Sequence, residues 1–301
     1  MRQTYLPELR ENYDKTTFEG LRRGNFKDLA KKLGVSRPAI SRMANEVRIL
    51  KFFPGLNKSK AEPLSRLKTK RELFLFSQKN DIFNLSTRKI ANLVKKWNKN
   101  LEKNPQIIVT DLEHDLIIGS TLGDANIRQR NKNCMFRIGH TLKQIKYLEW
   151  KSRVLKEFET KGIKFEHRVI NNKPIHFYNF DLNTHYVFNF YRKLFYNENG
   201  RKIITKDLLK QINQRSLAFW LCDDGSYCKK QRVITLCTNA FSLKEHRLLK
   251  NFFKKEFNLN PTIGFRDNKY YYLRFRKEDT EKFVEIVKPF LPLSMYYKVG
   301  G

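Results

Sequence analysis

Cysteine is scarce in this 301-residue chain: Cys134, Cys222, Cys228 and Cys237, with no CxxC pair among them. That excludes a disulfide framework and a zinc ribbon. Cys222 and Cys237 stand in apolar contexts and read as core thiols of a reducing compartment. The histidines (His114, His140, His167, His176, His185 and His246) show no metal-ligand spacing. No apolar run approaches the roughly 20 residues that a bilayer requires. The opening stretch, MRQTYLPELRENYDK, has no apolar signal segment. No membrane partner is expected, and the protein is read as intracellular, in cytoplasm or nucleoid, or in an organelle matrix if organelle-encoded. Neither a P-loop nor a Rossmann glycine pattern occurs, so no nucleotide cofactor is implied.

Acidic residues are also in short supply, 30 against 61 Lys+Arg, for a formal net charge of +31. Such an excess repels itself unless a polyanion neutralises it, and nucleic acid is the natural partner. Hydrophobic content of 40% and aromatic content of 13% are enough for a packed core.

The first recognisable module spans residues 25–47. Phe26, Leu29, Ala30 and Leu33 mark one face of a short helix. Gly34 can adopt the positive φ of a tight turn, and Ser36 can cap a second helix with Pro38 in its first turn. Ile40, Met43, Ala44 and Val47 form the inner face of that helix. This is helix-turn-helix grammar, with Arg37, Ser41, Arg42 and Asn45 outward for phosphates and base edges. A basic stretch, 51–70, reads as a linker. Next, Ser86 caps a helix whose Ile90, Leu93, Val94 and Trp97 share a face. It is either a second DNA-reading helix, with Arg88, Lys89 and Asn92 outward, or a packing helix with a solvated basic face.

From residue 111 an order of elements repeats. Strand-like segments at 126–130 and 134–140 precede a helix at 143–161, strands at 164–170 and 175–182 about a turn at 171–174, and a helix at 184–195. The second pass runs 226–229, 233–238, helix 242–257, 262–266, 270–275 about a turn at 267–269, and helix 278–289. Two αββαββα half-domains related by a pseudo-twofold follow, each with a four-stranded antiparallel sheet: an α+β fold after an all-α region. Arg128, Arg130, Arg137 and Arg168 in one half, and Lys229, Arg232, Arg266, Arg274 and Arg276 in the other, would line basic sheet faces. Such faces suit the major groove, where Arg reads guanine bidentately.

Each half opens on an apolar stretch that ends in a carboxylate. The first is Asp115-Leu116-Ile117-Ile118-Gly119-Ser120-Thr121-Leu122-Gly123-Asp124-Ala125. The second is Ser216-Leu217-Ala218-Phe219-Trp220-Leu221-Cys222-Asp223-Asp224-Gly225. Two buried helices packed through Gly119, Ser120 and Gly123 against Ala218 and Cys222 would bring Asp124 and Asp224 together. Carboxylates so placed repel unless a proton or a cation lies between them, which invites a divalent metal.

These paired stretches resemble the motifs of LAGLIDADG homing endonucleases, in the single-chain branch whose second motif reads Asp-Asp-Gly. The resemblance covers about residues 111–301. It implies a site-specific DNA endonuclease with Asp124 and Asp224 as Mg²⁺ ligands, one for each strand's phosphate. It also implies a lysine near the metals at the end of each half, Lys202 and Lys298. Asp223 is expected beside the ligand position or orienting the helix end, and not as a catalytic group. His140 is expected next to the DNA-facing strand, touching phosphate or, more in keeping with its context, in a surface or a packing role.

The expected domains are 1–50 (helix-turn-helix), 51–110 (basic linker and second helical segment), 111–212 and 213–301 (half-domains). The expected partner is double-stranded DNA bound by a monomer, with host intron RNA as a further partner if the protein is a maturase. A DNA-binding transcriptional regulator that has lost cleavage is the other alternative. Splicing-domain signatures are lacking, which favours an intron-encoded or free-standing form over an intein.

Overall fold

The computed structural model describes residues 28, 30–31, 34–67, 69–104, 108–158, 162–170 and 173–300. The chain divides into two compact units, Met1–Asn104 and Pro105–Gly301. Among the described residues no helix is long and apolar enough to cross a membrane.

The first unit is helical. Gly34 has φ +61° and marks the expected turn. Ser36 then caps α1 (Arg37–Phe52), accepting from the Ala39 amide at 3.4 Å, with Pro38 in the first turn. Ile40, Ala44 and Val47 are buried, as their spacing requires. Of the preceding helix, Asp28, Ala30 and Lys31 are helical, whereas Phe26, Leu29 and Leu33 lie outside the described residues. The segment read as a linker carries a helix, α2 (Lys58–Leu64), capped by Asn57. Its charge hid a short apolar face. Ala61, Leu64 and Leu67 join Ile49, Leu73 and Phe76 in one core. After α3 (Lys70–Lys79) comes α4 (Thr87–Lys103), capped by Ser86, whose Ile90 and Val94 enter the same core. Arg88, Lys89 and Asn92 are exposed. The helix therefore packs and also keeps a free basic face.

In the second unit a Thr110–Glu113 capping box opens α5 (Asp111–Leu122). Residues 116–122 are all buried, which explains why this helix lacks a polar stripe. Strands β1 (Asn126–Arg130) and β2 (Asn133–Thr141), helix α6 (Ile145–Val154), strands β3 (Ile163–Ile170) and β4 (Lys173–Asp181), and helix α7 (Val187–Phe195) complete one half. After the short α8 (Lys206–Leu209), helix α9 (Gln214–Asp224) begins the second half. β5 (Gly225–Cys228), β6 (Val233–Leu236), α10 (Leu243–Phe257), β7 (Thr262–Arg266), β8 (Tyr270–Phe275) and α11 (Lys277–Val287) follow. The sheets are antiparallel with matching orders, β1-β2-β4-β3 and β5-β6-β8-β7. Asp267 and Asn268 both have positive φ, and the Lys269 amide closes the turn on the Arg266 carbonyl at 3.1 Å, so that three residues connect Arg266 to its partner Tyr270. The turn expected at 171–174 falls partly outside the described residues. Helix α6 stops short of the expected 161 because Phe158 leaves the helical register to pack on Phe188 at 5.3 Å.

Helices α5 and α9 form the seam between the halves, through Gly119 and Gly123 of α5 as expected but through other residues of α9. A Cβ on Gly119 would lie 2.3 Å from the Ser216 carbonyl oxygen and 2.7 Å from Phe219 Cβ. One on Gly123 would lie 2.4 Å from Asp223 Cβ. The contact stripe on α9 is thus Ser216, Phe219, Trp220 and Asp223, spaced i, i+3, i+4, i+7, and Ala218 and Cys222 lie off it. Cys237, expected in the core, is exposed, because it follows the end of β6; all four cysteines are free.

Candidate functional site

The seam is tied at both ends. At the start, Asp115 of α5 accepts from Asn213 Nδ2 at 2.7 Å and pairs with Arg215 at 3.3 Å. At the other end both helices finish on a carboxylate. Asp224 is the last residue of α9, and Asp124 follows the C-cap Gly123 of α5. Parallel helices of matched length bring these two groups to one place.

The two carboxylates are not electrostatically equal. Burial, joined by the charges of Asp124 and Asp223, pushes Asp224 up to about 8 against the pull of Lys202 and Lys298. Burial acts the same way on Asp124, but a hydrogen bond from His140 and the charges of His140, Lys151 and Lys298 outweigh it. The Asp124 carboxyl is held below its usual value. Asp124 also keeps 40% of its side-chain surface exposed.

Behind Asp124 lies a buried polar cluster. His140 Nδ1 is 3.3 Å from Asp124 Oδ2, and Lys151 Nζ is 2.6 Å from Asp223 Oδ1 and 3.2 Å from His140 Nε2. The ammonium also lies 4.1 Å from the Tyr147 ring centroid. Asp124, His140 and Asp223 lie close enough to ligate an ion together. The Lys151 ammonium already supplies a cation to that cluster, which leaves the open side of Asp124, toward Asp224, as the side where a divalent ion would fit. There the donors are carboxylate oxygens, the hard set that Mg²⁺ takes while keeping most of its waters. The repulsion that drives Asp224 upward is what such an ion would relieve. The residues fit a divalent metal.

The lysines named from sequence occupy equivalent places. Lys202 Nζ donates to the carbonyls of Gly123 at 2.9 Å and Ala125 at 2.8 Å. Lys298, in a 3-10 segment (Leu293–Val299), donates to Gly225 at 2.6 Å. Each ammonium therefore grips the backbone beside its own half's aspartate. Burial lowers the Lys202 pKa, opposed by Asp224, Asp124 and Asp223.

The sheets carry the basic face, though not every named residue is on it. Strand register puts Arg128 and Arg130 with Met135 and Arg137 on one face of the first sheet, opposite the buried Ile127 and Phe136. Arg128 and Arg130 are exposed. Arg137 is not free: it pairs with Glu166 and with Asp181 at 3.3 Å and donates to Asn179 at 2.9 Å, leaving 16% of its side chain exposed. Arg168 pairs with Ile175 in the β3–β4 register. In the second half Arg266 and Arg274 lie with Tyr272, Thr235 and Ser226 around a groove of about 440 Å³ that begins at Asp224. Lys229 and Arg232 are in the β5–β6 turn and not on a strand, since the turn takes four residues; Arg232 pairs with Glu281 at 3.3 Å. Arg276 is the N-cap residue of α11, beyond the end of β8. In the first unit Arg37 and Arg42 are exposed on α1, with Ser41 and Asn45 half-buried.

Asp223 does stand beside the ligand position, but sequence reasoning missed Lys151 and the meeting of His140, Lys151 and Asp223 in one cluster. Of the readings open to His140 the packing one holds: it is buried, because β2 turns it inward beneath α6. One signal was available: Lys151 falls on the apolar stripe of α6 with Tyr147, Leu148 and Leu155, where a charge needs a buried partner.

Residues 114–283 match the family model described as the LAGLIDADG DNA endonuclease family. The chain is 31% identical over 205 residues to a probable intron-encoded endonuclease 1 of Wickerhamomyces canadensis, covering 64% of this chain and 85% of the relative. It is 32% identical over 126 residues to intron-encoded endonuclease ai4 of Dictyostelium discoideum, 41% of this chain and 77% of the relative. Among solved structures it resembles the homing endonuclease I-WcaI bound to its DNA recognition sequence. That match has TM-score 0.58 and 26% identity, and covers 73% of this chain and 96% of the other.

Proposed function

This chain belongs to the LAGLIDADG DNA endonuclease family, and on that premise we propose that it is an intron-encoded homing endonuclease that binds one long asymmetric DNA site and cuts both strands. The observation that carries the reading is the meeting of Asp124 and Asp224 at the end of two packed helices, between two sheets with basic faces. A protein that only bound DNA would gain nothing from two carboxylates facing phosphates. The second motif ending in Asp223-Asp224-Gly225 supports the single-chain branch, in which one chain supplies both halves and acts as a monomer.

Asp124 and Asp224 would hold Mg²⁺. A bound divalent ion supplies charge neutralisation at the scissile phosphate and a water acidic enough to be deprotonated near neutral pH. The protein's own groups do the rest. Asp124 is kept ionised by His140. Lys202 and Lys298 fix the backbone on either side of the carboxylates and place positive charge where the phosphate gains negative charge. Arg128, Arg130, Arg168, Arg266 and Arg274 would hold or read the duplex in the major groove, with α1 contributing through Arg37, Ser41, Arg42 and Asn45. The protein would act wherever its host gene lies, in nucleoid or organelle matrix.

The test is cleavage of the host gene's intron-lacking insertion site with Mg²⁺, comparing wild type with Asp124→Asn and Asp224→Asn. Cleavage by wild type alone, with both variants still binding DNA, is the expected result. Binding without cleavage by wild type across a series of divalent ions would overturn the reading in favour of a regulator or an intron RNA maturase.

A further inference from the structure

The cluster behind Asp124 has no counterpart behind Asp224, and the asymmetry is built into the seam. Asn126 and Ser226 each follow their motif aspartate by two residues and pair with Arg137 and Thr235 respectively. Three residues beyond these partners stand His140 in one half and Thr238 in the other. Thr238 is buried, and its hydroxyl is bonded with His246 Nε2 at 2.7 Å. Among the described residues no histidine donates to Asp224. The position before the motif aspartate differs likewise, Gly123 against Asp223. Only one can carry a side chain, since Asp223 Cβ fills the space a Cβ on Gly123 would need. At this end of the seam the second motif helix thus sends a carboxylate across to the first half's Lys151 and His140, while the first helix has only Gly123 at the matching position.

The hydrogen-bond chemistry fixes the direction of this chain of contacts. The Lys151 ammonium has no lone pair, so His140 Nε2 at 3.2 Å accepts from it and, in the neutral ring, the proton resides on Nδ1. Nδ1–H then points at Asp124 Oδ2, 3.3 Å away. Asp223 holds the amine in place at 2.6 Å, and the Tyr147 ring supports it from the side. Histidines that carry their proton on the side of a carboxylate in this way orient and ionise it.

We propose that Asp223, Lys151 and His140 form a one-sided positioning relay, in which the second half sets the orientation of the first half's aspartate. The consequence is strand asymmetry: the relay supports cutting of the strand served by Asp124 and leaves the strand served by Asp224 to its own carboxylate. The proposal rests on reading Asp124 and Asp224 as the two metal-holding groups.

Removing Lys151 alone strands a buried charge and risks unfolding. The variant to make is therefore Lys151→Met/Asp223→Leu, which deletes both charges and keeps both shapes, with His140→Gln as a second. The first measurement is on metal-free protein. Long-range ¹H–¹⁵N NMR of the histidine rings is expected to show the Nδ1–H form for His140 in wild type and its loss in the double variant. The second is strand-resolved cleavage of end-labelled target DNA. Both variants should slow one strand by about 10- to 100-fold, slow the other less than about threefold, and accumulate a nicked duplex. Equal slowing of both strands, or an Nε2–H tautomer in wild type, would overturn the relay. If wild type does not cleave at all, the endonuclease reading fails, while the ring tautomer still decides whether the relay exists.

Discussion

Substituting Gly119 by alanine tests the seam on which the whole catalytic arrangement depends. The added Cβ would sit 2.3 Å from the Ser216 carbonyl oxygen, 2.7 Å from Phe219 Cβ and 3.1 Å from the Trp220 nitrogen. Carbon and oxygen approach to about 3.3 Å in ordinary contact, so α5 and α9 must part by roughly 1 Å, forfeiting much of the dispersion energy along the contact. No side-chain rotation relieves the clash, because the obstacles are backbone atoms and a Cβ. Overpacking of this kind costs about 3 kcal/mol, at the upper end of the usual range. Alanine's better helix propensity returns about 1 kcal/mol. A net loss of about 2 kcal/mol lowers the melting temperature of a unit this size by roughly 4–8 °C. Thermal unfolding followed by circular dichroism measures it, with Ser120→Ala as the control one residue away. Ser120 Oγ is buried and has no hydrogen-bond partner among the described residues, so that variant should melt within about 2 °C of wild type or above it. If Gly119→Ala matches or exceeds the wild-type melting temperature, propensity has prevailed and the close approach is not there.

Proton competition at Asp224 gives a pH prediction: its pKa is raised to about 8, so the group keeps its proton below that pH and releases it above. With Mg²⁺ held subsaturating, so that the ion must displace that proton, cleavage should rise by up to about tenfold per unit from pH 6 to 8 and level off above; a flat profile at subsaturating metal would refute the assignment. Arg137 and Arg128 should differ in DNA binding. Because Glu166 and Asp181 already neutralise Arg137, Arg137→Gln should leave the salt dependence of affinity nearly unchanged, whereas Arg128→Gln should reduce its log–log slope by about one if Arg128 meets a phosphate. Thr280 is buried and bonds both the Ile234 amide at 3.1 Å and the Phe275 carbonyl at 2.8 Å. Thr280→Val should cost about 1–3 kcal/mol in urea unfolding. Deleting residues 1–104, a compact unit of their own, should weaken DNA binding and shorten the protected footprint; a footprint of unchanged length would show that α1 and α4 do not extend the site.

Much was legible before any coordinates. Local patterns carry their own physics: Ser36, Ser86 and Ser242 announced helix starts because a hydroxyl satisfies an amide that the helix leaves open. The recurring order of elements placed β1, β7 and β8 at their observed bounds, and 267–269 gave a hairpin turn. Two apolar stretches ending in aspartate identified the family and the carboxylate pair. The small residues Gly119 and Gly123 marked the seam on α5, but the sequence could not say which stripe of α9 meets them, since a shift of one residue turns the contact by about 100°; only packing chose Phe219, Trp220 and Asp223 over Ala218 and Cys222. Nor could it show that Arg137 is spent on Glu166 and Asp181, or that Cys237 is exposed, because these depend on strands and loops far apart in the chain. His140, Lys151 and Asp223 are separated by up to 83 positions and meet only when the second half closes on the first. The chain's composition determined that it would fold and seek a polyanion. Its tertiary structure decided which of two similar aspartates is held ionised, because burial and partner distance, not residue type, set the state of a carboxylate.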